Sequence, residues 1–148
     1  MTLSLALFQP DIPQNLGAAM RLCACLGVQL HVIEPCGFPW KDQKIKKSAM
    51  DYNALIDIQR HDSWESFCKT TSGRRKVLMT TKTERSYTDF TFRPDDILIA
   101  GQESSGVPEN VHQAVDARIT IVMKGQARSM NVINASSMIL GEALRQTN

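Results

Sequence analysis

Short apolar runs rich in β-branched residues alternate with helical patterns along this chain. The predicted strands cover residues 3–8, 29–34, 55–58, 76–81, 96–100 and 118–123. The predicted helices cover residues 15–26, 42–50, 62–72, 108–115 and 132–146. Strands that alternate with helices form parallel sheets, because each crossover helix returns the chain to the same end of the sheet. The sequence therefore predicts an α/β fold, a mostly parallel sheet with helices on both faces.

Residues at the predicted helix ends set these limits. Asn15 is predicted to cap the first helix, and Gly27 to end it in the left-handed conformation. Asp62 and Glu65 form a predicted capping pair for a helix that ends before Gly73.

The length of 148 residues fits one domain, so we expect residues 1–148 to form a single domain. The first residues lack the basic segment of a signal peptide, and no apolar run approaches the roughly 20 residues of a membrane helix. We therefore expect a cytoplasmic protein with no membrane partner.

The four cysteines, at positions 23, 25, 36 and 68, do not form a metal-binding pattern. There is no Cys-x-x-Cys pair and no nearby pair of histidines to complete a zinc site. We expect reduced, mostly buried thiols and no metal.

Basic residues are concentrated in two clusters, although the formal net charge is only +2. The clusters consist of Lys41, Lys44, Lys46 and Lys47, and of Arg74, Arg75 and Lys76. Each cluster is either a solvated face or a phosphate-binding surface, because neutralised phosphates dominate the affinity for nucleic acids.

Two strand-then-polar-loop units occupy the last third of the chain. The first runs from strand 97–100 into Gly101–Pro108, and the second from strand 118–123 into Ser129–Ser137. Loops at the carboxyl ends of strands are where open α/β sheets bind ligands. Asn134 is expected to have a buried hydrogen-bonding role, because Asn is a poor helix former. A polar ligand is expected here.

The turn after the first strand has no Gly-x-Gly-x-x-Gly, which disfavours a dinucleotide site. Asn15 and Arg21 lie on roughly the same side of the following helix. Arg21 is surrounded by apolar residues, and an unpaired buried charge is costly. It either pairs with an acid such as Glu103 or Glu34, or binds an anionic ligand.

These segments resemble the three motifs of the SPOUT-class RNA methyltransferases. The motif segments are Asn15–Arg21, Gly101–Pro108 and Ser129–Ala135. The run 30–40 is further similar to the small, single-domain TrmL-type branch, tRNA (cytidine/uridine-2′-O)-methyltransferases that act at the wobble nucleotide.

The resemblance implies a homodimer with a C-terminal trefoil knot, a tRNA substrate, and S-adenosyl-L-methionine as methyl donor, with S-adenosyl-L-homocysteine as product. Arg21 and Asn15 are the implied catalytic residues. The implied cofactor-binding residues are Met79, Gly101, Ile121, Ser129, Glu103, Asn131 and Asn134. Gly101 is expected to let the ligand approach the backbone closely. Both basic clusters are then candidates for phosphate contacts. His31 and Trp40 are weaker candidates for contacts with the target loop, and for Trp40 a role in the core or at the dimer interface is favoured over base stacking.

The chain departs from the family pattern at three positions. Members carry Pro where this chain has Gln102 and Val122, and often Tyr where it has Gly141. Three alternatives stay open: a methyltransferase of ribosomal RNA or another tRNA nucleotide, an inactive RNA-binding protein with the same fold, and a flavodoxin-like enzyme. The missing phosphate loop disfavours the last.

Overall fold

A computed structural model describes residues 2–40, 57–126 and 130–148. Its strands are β1 (Ser4–Phe8), β2 (Gln29–Ile33), β3 (Ile58–His61), β4 (Lys76–Met79), β5 (Ile97–Ala100) and β6 (Ala117–Ile119). Its helices are α1 (Pro13–Leu26), α2 (Trp64–Thr70), α3 (Glu109–Ala114) and α4 (Val132–Thr147), with a short 3-10 helix at Tyr87–Asp89. The predicted helix over residues 42–50 lies outside the described residues.

The strands of the described chain form one sheet in the order β3-β2-β1-β5-β4-β6, and each pair is parallel. The predicted parallel α/β fold is confirmed. The order reverses between β1 and β5, so the loops that follow these two strands diverge at the carboxyl edge of the sheet.

Both faces of the sheet are covered by helices. In β1, Leu5 and Leu7 belong to the buried cluster that includes residues of α1 and α4. Ala6 and Phe8 alternate with them and pack with residues of α2 and α3. This alternation follows from the strand period of two, and it confirms helices on both faces.

Several predicted boundaries were wrong. Ile12, not Asn15, is the N-cap of α1, because Pro13 begins the helix with a fixed φ and no N–H to satisfy. Ser63, not Asp62, caps α2, where its side chain accepts a hydrogen bond from the backbone N–H of Ser66. Gly27 adopts the predicted left-handed conformation, with φ 66°.

The last strand is shorter than predicted. β6 ends at Ile119, because the next residue pairs with a different partner. Thr120 donates its backbone N–H to the Arg85 carbonyl at 2.9 Å and accepts from the Tyr87 N–H at 2.9 Å. The predicted strand at 55–58 instead runs from Ile58 to His61, and residues 55 and 56 lie outside the described residues.

The C-terminal trefoil knot implied by the resemblance stays a prediction. The chain passes from β6 to α4 through residues 127–129, which lie outside the described ranges. In those ranges, no helix has the length and apolar character needed to cross a membrane.

The cysteines are free, but the expectation that most are buried was wrong. Cys23 alone of the four is buried, and Cys25, which lies two positions further along the helix, faces solvent. Burial raises the pKa of the Cys23 thiol to about 12. Among the described residues, no group of three or more His, Cys, Asp or Glu side chains is placed to hold a metal ion.

Two buried histidines form a pair between β2 and β3. His31 Nδ1 lies 2.9 Å from His61 Nε2, and both rings pack edge-on against Phe67. The pKa of His31 is lowered to about 4, chiefly by burial and next by the neighbouring His61. Burial also lowers the pKa of His61.

We expect the His31–His61 pair to make the protein less stable as the pH is lowered. The unfolded histidines bind protons below pH 6.5, whereas folded His31 does so only near pH 4, so stability is lost as the pH falls through this window. The value for His31 also includes a lowering of the pKa by Arg74 and an opposing increase by Asp57. The free energy of unfolding should drop by about 2 kcal/mol between pH 7 and pH 5, measured by urea unfolding.

The matched control for this pH effect replaces both rings, as His31→Leu with His61→Phe. In this double variant, most of the drop in the free energy of unfolding between pH 7 and pH 5 should disappear. An unchanged drop would assign the pH dependence to other groups.

Gly141 offers a stabilising substitution in α4. It is exposed, and a Cβ at this position would meet no atom within 4 Å. Gly141→Ala should raise the free energy of unfolding by about 0.5–1 kcal/mol, because alanine loses less backbone entropy in a helix. Urea unfolding checks this. Gly27→Ala is the control: its surroundings are equally open but φ is 66°, so this change should destabilise.

Candidate active site

A cavity of about 410 Å³ opens at the carboxyl ends of β4 and β5. Met79 and Ala100 are register neighbours at these strand ends, and both line the cavity. Residues 101–107 form one wall, while Ile121 and the α4 residue Ile139 contribute apolar surface. Its volume is within the range typical of small-molecule sites. The carboxyl edge of the sheet, where the sequence predicts a polar ligand, therefore contains a cavity.

A tight hairpin follows β5. The backbone N–H of Gln102 donates to the Gly106 carbonyl at 2.8 Å, and the reverse bond is also 2.8 Å. A Cβ on Gly101 would lie 2.7 Å from the Gly106 carbonyl carbon. Gly101 was expected to make room for a ligand, but the backbone that approaches it in this structure is that of Gly106. Gly101 therefore allows the hairpin to close.

Side-chain contacts tie this hairpin to the turn between β1 and α1. Gln102 Nε2 donates to the Gln9 carbonyl at 2.9 Å. The Ser104 hydroxyl donates to the Asp11 carboxylate. This bond lowers the pKa of Asp11. Because both attachments come from the turn after β1, the hairpin wall of the cavity is held across the point where the strand order reverses.

The three motif segments meet in one polar cluster. Asn15 Nδ2 donates to the Glu103 carboxylate, and Asn131 Nδ2 lies 3.4 Å from Asn15 Oδ1. Asn131 also caps α4, since its Oδ1 accepts from the backbone N–H of Ile133 at 2.9 Å. Asn15, Glu103 and Ile133 also border a small cleft beside the main cavity.

Apart from Asn134, the predicted cofactor-binding residues fall into three groups. Met79, Gly101, Glu103 and Ile121 line the cavity. Asn131 lies beside it in the polar cluster. Ser129 lies outside the described residues.

Asn134 is exposed, so the expectation of a buried role was wrong. It occupies the solvent side of the first turn of α4, where its backbone N–H donates to the Asn131 cap at 3.2 Å.

Arg21 is exposed on α1, so its charge is not buried among apolar residues as the sequence suggested. The helix turns Leu16, Met20 and Cys23 inward and leaves Arg21 outside. Glu34 makes a two-bond ion pair with Arg60, and Glu103 accepts a hydrogen bond from Asn15. The choice for Arg21 between pairing with an acid and binding an anionic ligand stays a prediction.

Of the two predicted basic clusters, only the one at Arg74 and Arg75 lies within the described residues. Lys41, Lys44, Lys46 and Lys47 lie outside the described residues. Arg75 makes two hydrogen bonds to the fully buried Asp96, at 2.8 and 2.6 Å. Arg74 donates to the Thr2 carbonyl and the Ser4 hydroxyl. These arginines lie at the amino ends of the strands, opposite the cavity, and their contact with RNA stays a prediction.

The two aromatic candidates for contact with the target loop are placed differently. His31 is 1% exposed and bonded to His61, so it cannot reach an RNA. Trp40 packs against the apolar core, and the Arg60 guanidinium lies 4.0 Å from the centre of its ring.

Some cavity residues were missed from the sequence. These include Thr80, Lys82 and His112. None of the three lies in a motif segment. Only the position of Thr80 near the end of the predicted strand 76–81 could have indicated it.

Comparison with known proteins identifies the family. The sequence model of the SpoU rRNA Methylase family matches residues 2–141. The chain belongs to the SpoU methylase family.

Relatives within the SpoU methylase family include two named tRNA (cytidine(34)-2′-O)-methyltransferase. The protein from Beijerinckia indica is 54% identical over 144 residues, which cover 96% of this chain and 90% of the relative. The protein from Escherichia coli K12 is 36% identical over 146 residues, which cover 97% of this chain and 93% of the relative.

Solved structures of similar proteins agree with this fold. A structure from work on "the 2-OH methylation of C/U34 on tRNA" has a TM-score of 0.92 and 38% identity, and the match covers 98% of this chain and 95% of that one. The SpoU methyltransferase AviRb from Streptomyces viridochromogenes, in complex with the cofactor AdoMet, has a TM-score of 0.83 at 24% identity. The match covers 98% of this chain and 60% of AviRb, and supports the fold alone.

Proposed function

We propose that this chain transfers a methyl group from S-adenosylmethionine to the ribose 2′-hydroxyl of nucleotide 34, a cytidine or uridine, in tRNA. The observation that carries the proposal is the cluster of Asn15, Glu103 and Asn131 beside the cavity, since it unites the three motif segments at one edge of the sheet. The two relatives described above, which span nearly the whole chain, support the choice of tRNA nucleotide 34 as substrate.

The cavity fits S-adenosylmethionine. Its apolar wall (Leu78, Ile121, Ile139) suits an adenine ring, and the hairpin offers backbone groups for hydrogen bonds. One buried nitrogen at the cavity, His112 Nδ1, also has no partner among the described residues. Met79, Gly101, Ile121 and Ser129 are the proposed contacts, with Glu103, Asn131 and Asn134 shaping the adjoining loops. S-adenosylhomocysteine is the proposed product.

When bound, S-adenosylmethionine supplies a sulfonium methyl group, already activated for transfer to an oxygen nucleophile. The chain must then position the 2′-hydroxyl in line with that methyl group and stabilise the developing charge on its oxygen, with the hydroxyl proton passing to solvent water. Arg21 is exposed, and its guanidinium has five donors, which suit a phosphate flanking the target ribose. It also stabilises the developing negative charge. Asn15, held by Glu103, orients the substrate or Arg21.

We further propose that the active form is a homodimer in the cytoplasm. Leu26 and Met138, on α1 and α4, are 38% and 42% exposed although both are large apolar residues. Helices α1 and α4 pack together, so both side chains belong to one helical layer. Sedimentation equilibrium should give twice the chain mass of 16.5 kDa. A monomer mass would contradict this part of the proposal.

Methyl transfer to RNA tests the function. The protein is incubated with methyl-labelled S-adenosylmethionine and unmodified total tRNA, and the labelled nucleoside is identified by mass spectrometry. We expect 2′-O-methylcytidine or 2′-O-methyluridine at position 34. A parallel reaction with ribosomal RNA tests the main alternative, and label found there but absent from tRNA would overturn the proposed substrate. Binding of S-adenosylhomocysteine without transfer to either RNA would favour the inactive RNA-binding alternative.

A further inference from the structure

His112 is one of the residues that line the cavity, and Nδ1 of its imidazole has no hydrogen-bond partner in the described part of the chain. His112 lies in α3 and lines the cavity together with Val107 and Ile121. Nδ1 is buried and bonds to no group of the described chain. An unsatisfied buried polar atom costs about 1–3 kcal/mol of folding free energy, so an imidazole at this position is less favourable than an apolar side chain of similar size.

The fold itself uses the backbone of His112 and not its ring. The Arg118 guanidinium donates to the His112 carbonyl at 2.7 Å, a bond that any residue at this position would accept. An apolar side chain of similar size would fill the wall without leaving a polar atom unsatisfied. The imidazole therefore has no evident structural purpose in the described residues.

Nδ1 of His112 can change its position without a change in the backbone. A half-turn about the Cβ–Cγ bond exchanges the positions of Nδ1 and Cδ2, and this torsion is broad and roughly two-fold in histidine. The rotated ring occupies the same space. A hydrogen bond to a ligand in the cavity would then remove the cost of the unsatisfied nitrogen.

We propose that His112 is a cofactor-binding residue whose Nδ1 hydrogen-bonds S-adenosylmethionine in this cavity. The inference rests on the proposed function, because it takes the cavity as the site of the methyl donor. It adds a residue that lies outside the three motifs.

Calorimetry with S-adenosylhomocysteine tests the contact. His112→Leu keeps the bulk but removes the nitrogen, and should weaken binding about tenfold. His112→Asn places an amide nitrogen near the position of Nδ1, and should bind within about threefold of the unchanged protein. The control is Gln113→Ala on the exposed side of the same helix, which should bind as the unchanged protein does. Rescue by Asn separates a ligand contact from a purely structural role.

A nitrogen-15 spectrum of the imidazoles in the unchanged protein gives a second readout that does not depend on the variants folding. The chain has three histidines, and His31 and His61 are bonded to each other away from the cavity. The His112 Nδ1 resonance should move on addition of S-adenosylhomocysteine more than those of the other two. Equal affinity in His112→Leu, or a His112 resonance that does not move while the ligand binds, would overturn this inference alone. If the unchanged protein failed to bind S-adenosylhomocysteine, the proposed function would fall with it.

Discussion

Arg21→Ala should lower the single-turnover rate of tRNA methylation, at saturating RNA and S-adenosylmethionine, by about a hundredfold or more. The guanidinium keeps its proton in proteins, so its proposed role is that of a fixed cation and not of a base. It is expected to hold a phosphate beside the target ribose and to stabilise charge that develops on the 2′-oxygen. Both interactions are lost with the side chain. Single-turnover kinetics with labelled S-adenosylmethionine measure the loss at the chemical step.

Two further variants serve as controls for the Arg21 experiment. Arg93→Ala removes another exposed arginine, close to the amino end of β5 and away from the cavity, and should leave the rate unchanged. Arg21→Lys keeps the charge but not the planar fork of donors, and should recover part of the rate. Arg21 is not among the described residues that line the cavity, so S-adenosylhomocysteine should bind Arg21→Ala normally. A near-normal rate in Arg21→Ala would rule out the proposed role.

The sequence predicted the fold well because its strongest signals are local. The β-branched runs bounded by Gly, Pro and Asn placed the strands, and alternation of strands and helices implied their parallel order. The failures arose where tertiary contacts outweighed local preference. Asn15 has the propensity of a helix cap, but Pro13 begins the helix earlier and the Asn15 amide contacts Glu103 across the sheet edge instead.

Only the part of the candidate site that lies in the three motif segments could be predicted from the sequence. Asn15, Glu103 and Asn131 were all identified from the sequence, and the structure brings them together. His112 was missed because it lies in a short helix with no motif. Its position at the cavity depends on how that helix packs beside the hairpin, which no local pattern encodes. Arg21 was expected to be buried, because its apolar neighbours do not reveal which face of the helix packs inward.

Gly101→Ala should both destabilise the protein and weaken cofactor binding. The new Cβ would lie 2.7 Å from the Gly106 carbonyl carbon and 2.9 Å from its Cα, and backbone atoms cannot yield as a flexible side chain does. The hairpin must open, which strains the two bonds between Gln102 and Gly106. We expect a loss of about 3 kcal/mol in the free energy of unfolding, at the upper end for overpacking.

The Gly101→Ala experiment has a control within the same hairpin. Gly106 has φ 66° and open space around it, so Gly106→Ala costs only backbone strain, about 1–2 kcal/mol, with no steric clash. Urea unfolding measures both stabilities, and calorimetry measures the affinity for S-adenosylhomocysteine. Gly101→Ala should weaken binding more than tenfold, since the hairpin forms a wall of the cavity, whereas Gly106→Ala should weaken it less. If the two variants bound S-adenosylhomocysteine equally well, closure of the hairpin against Gly101 would not determine the shape of the cavity. The close contact at Gly101 would then matter for stability alone.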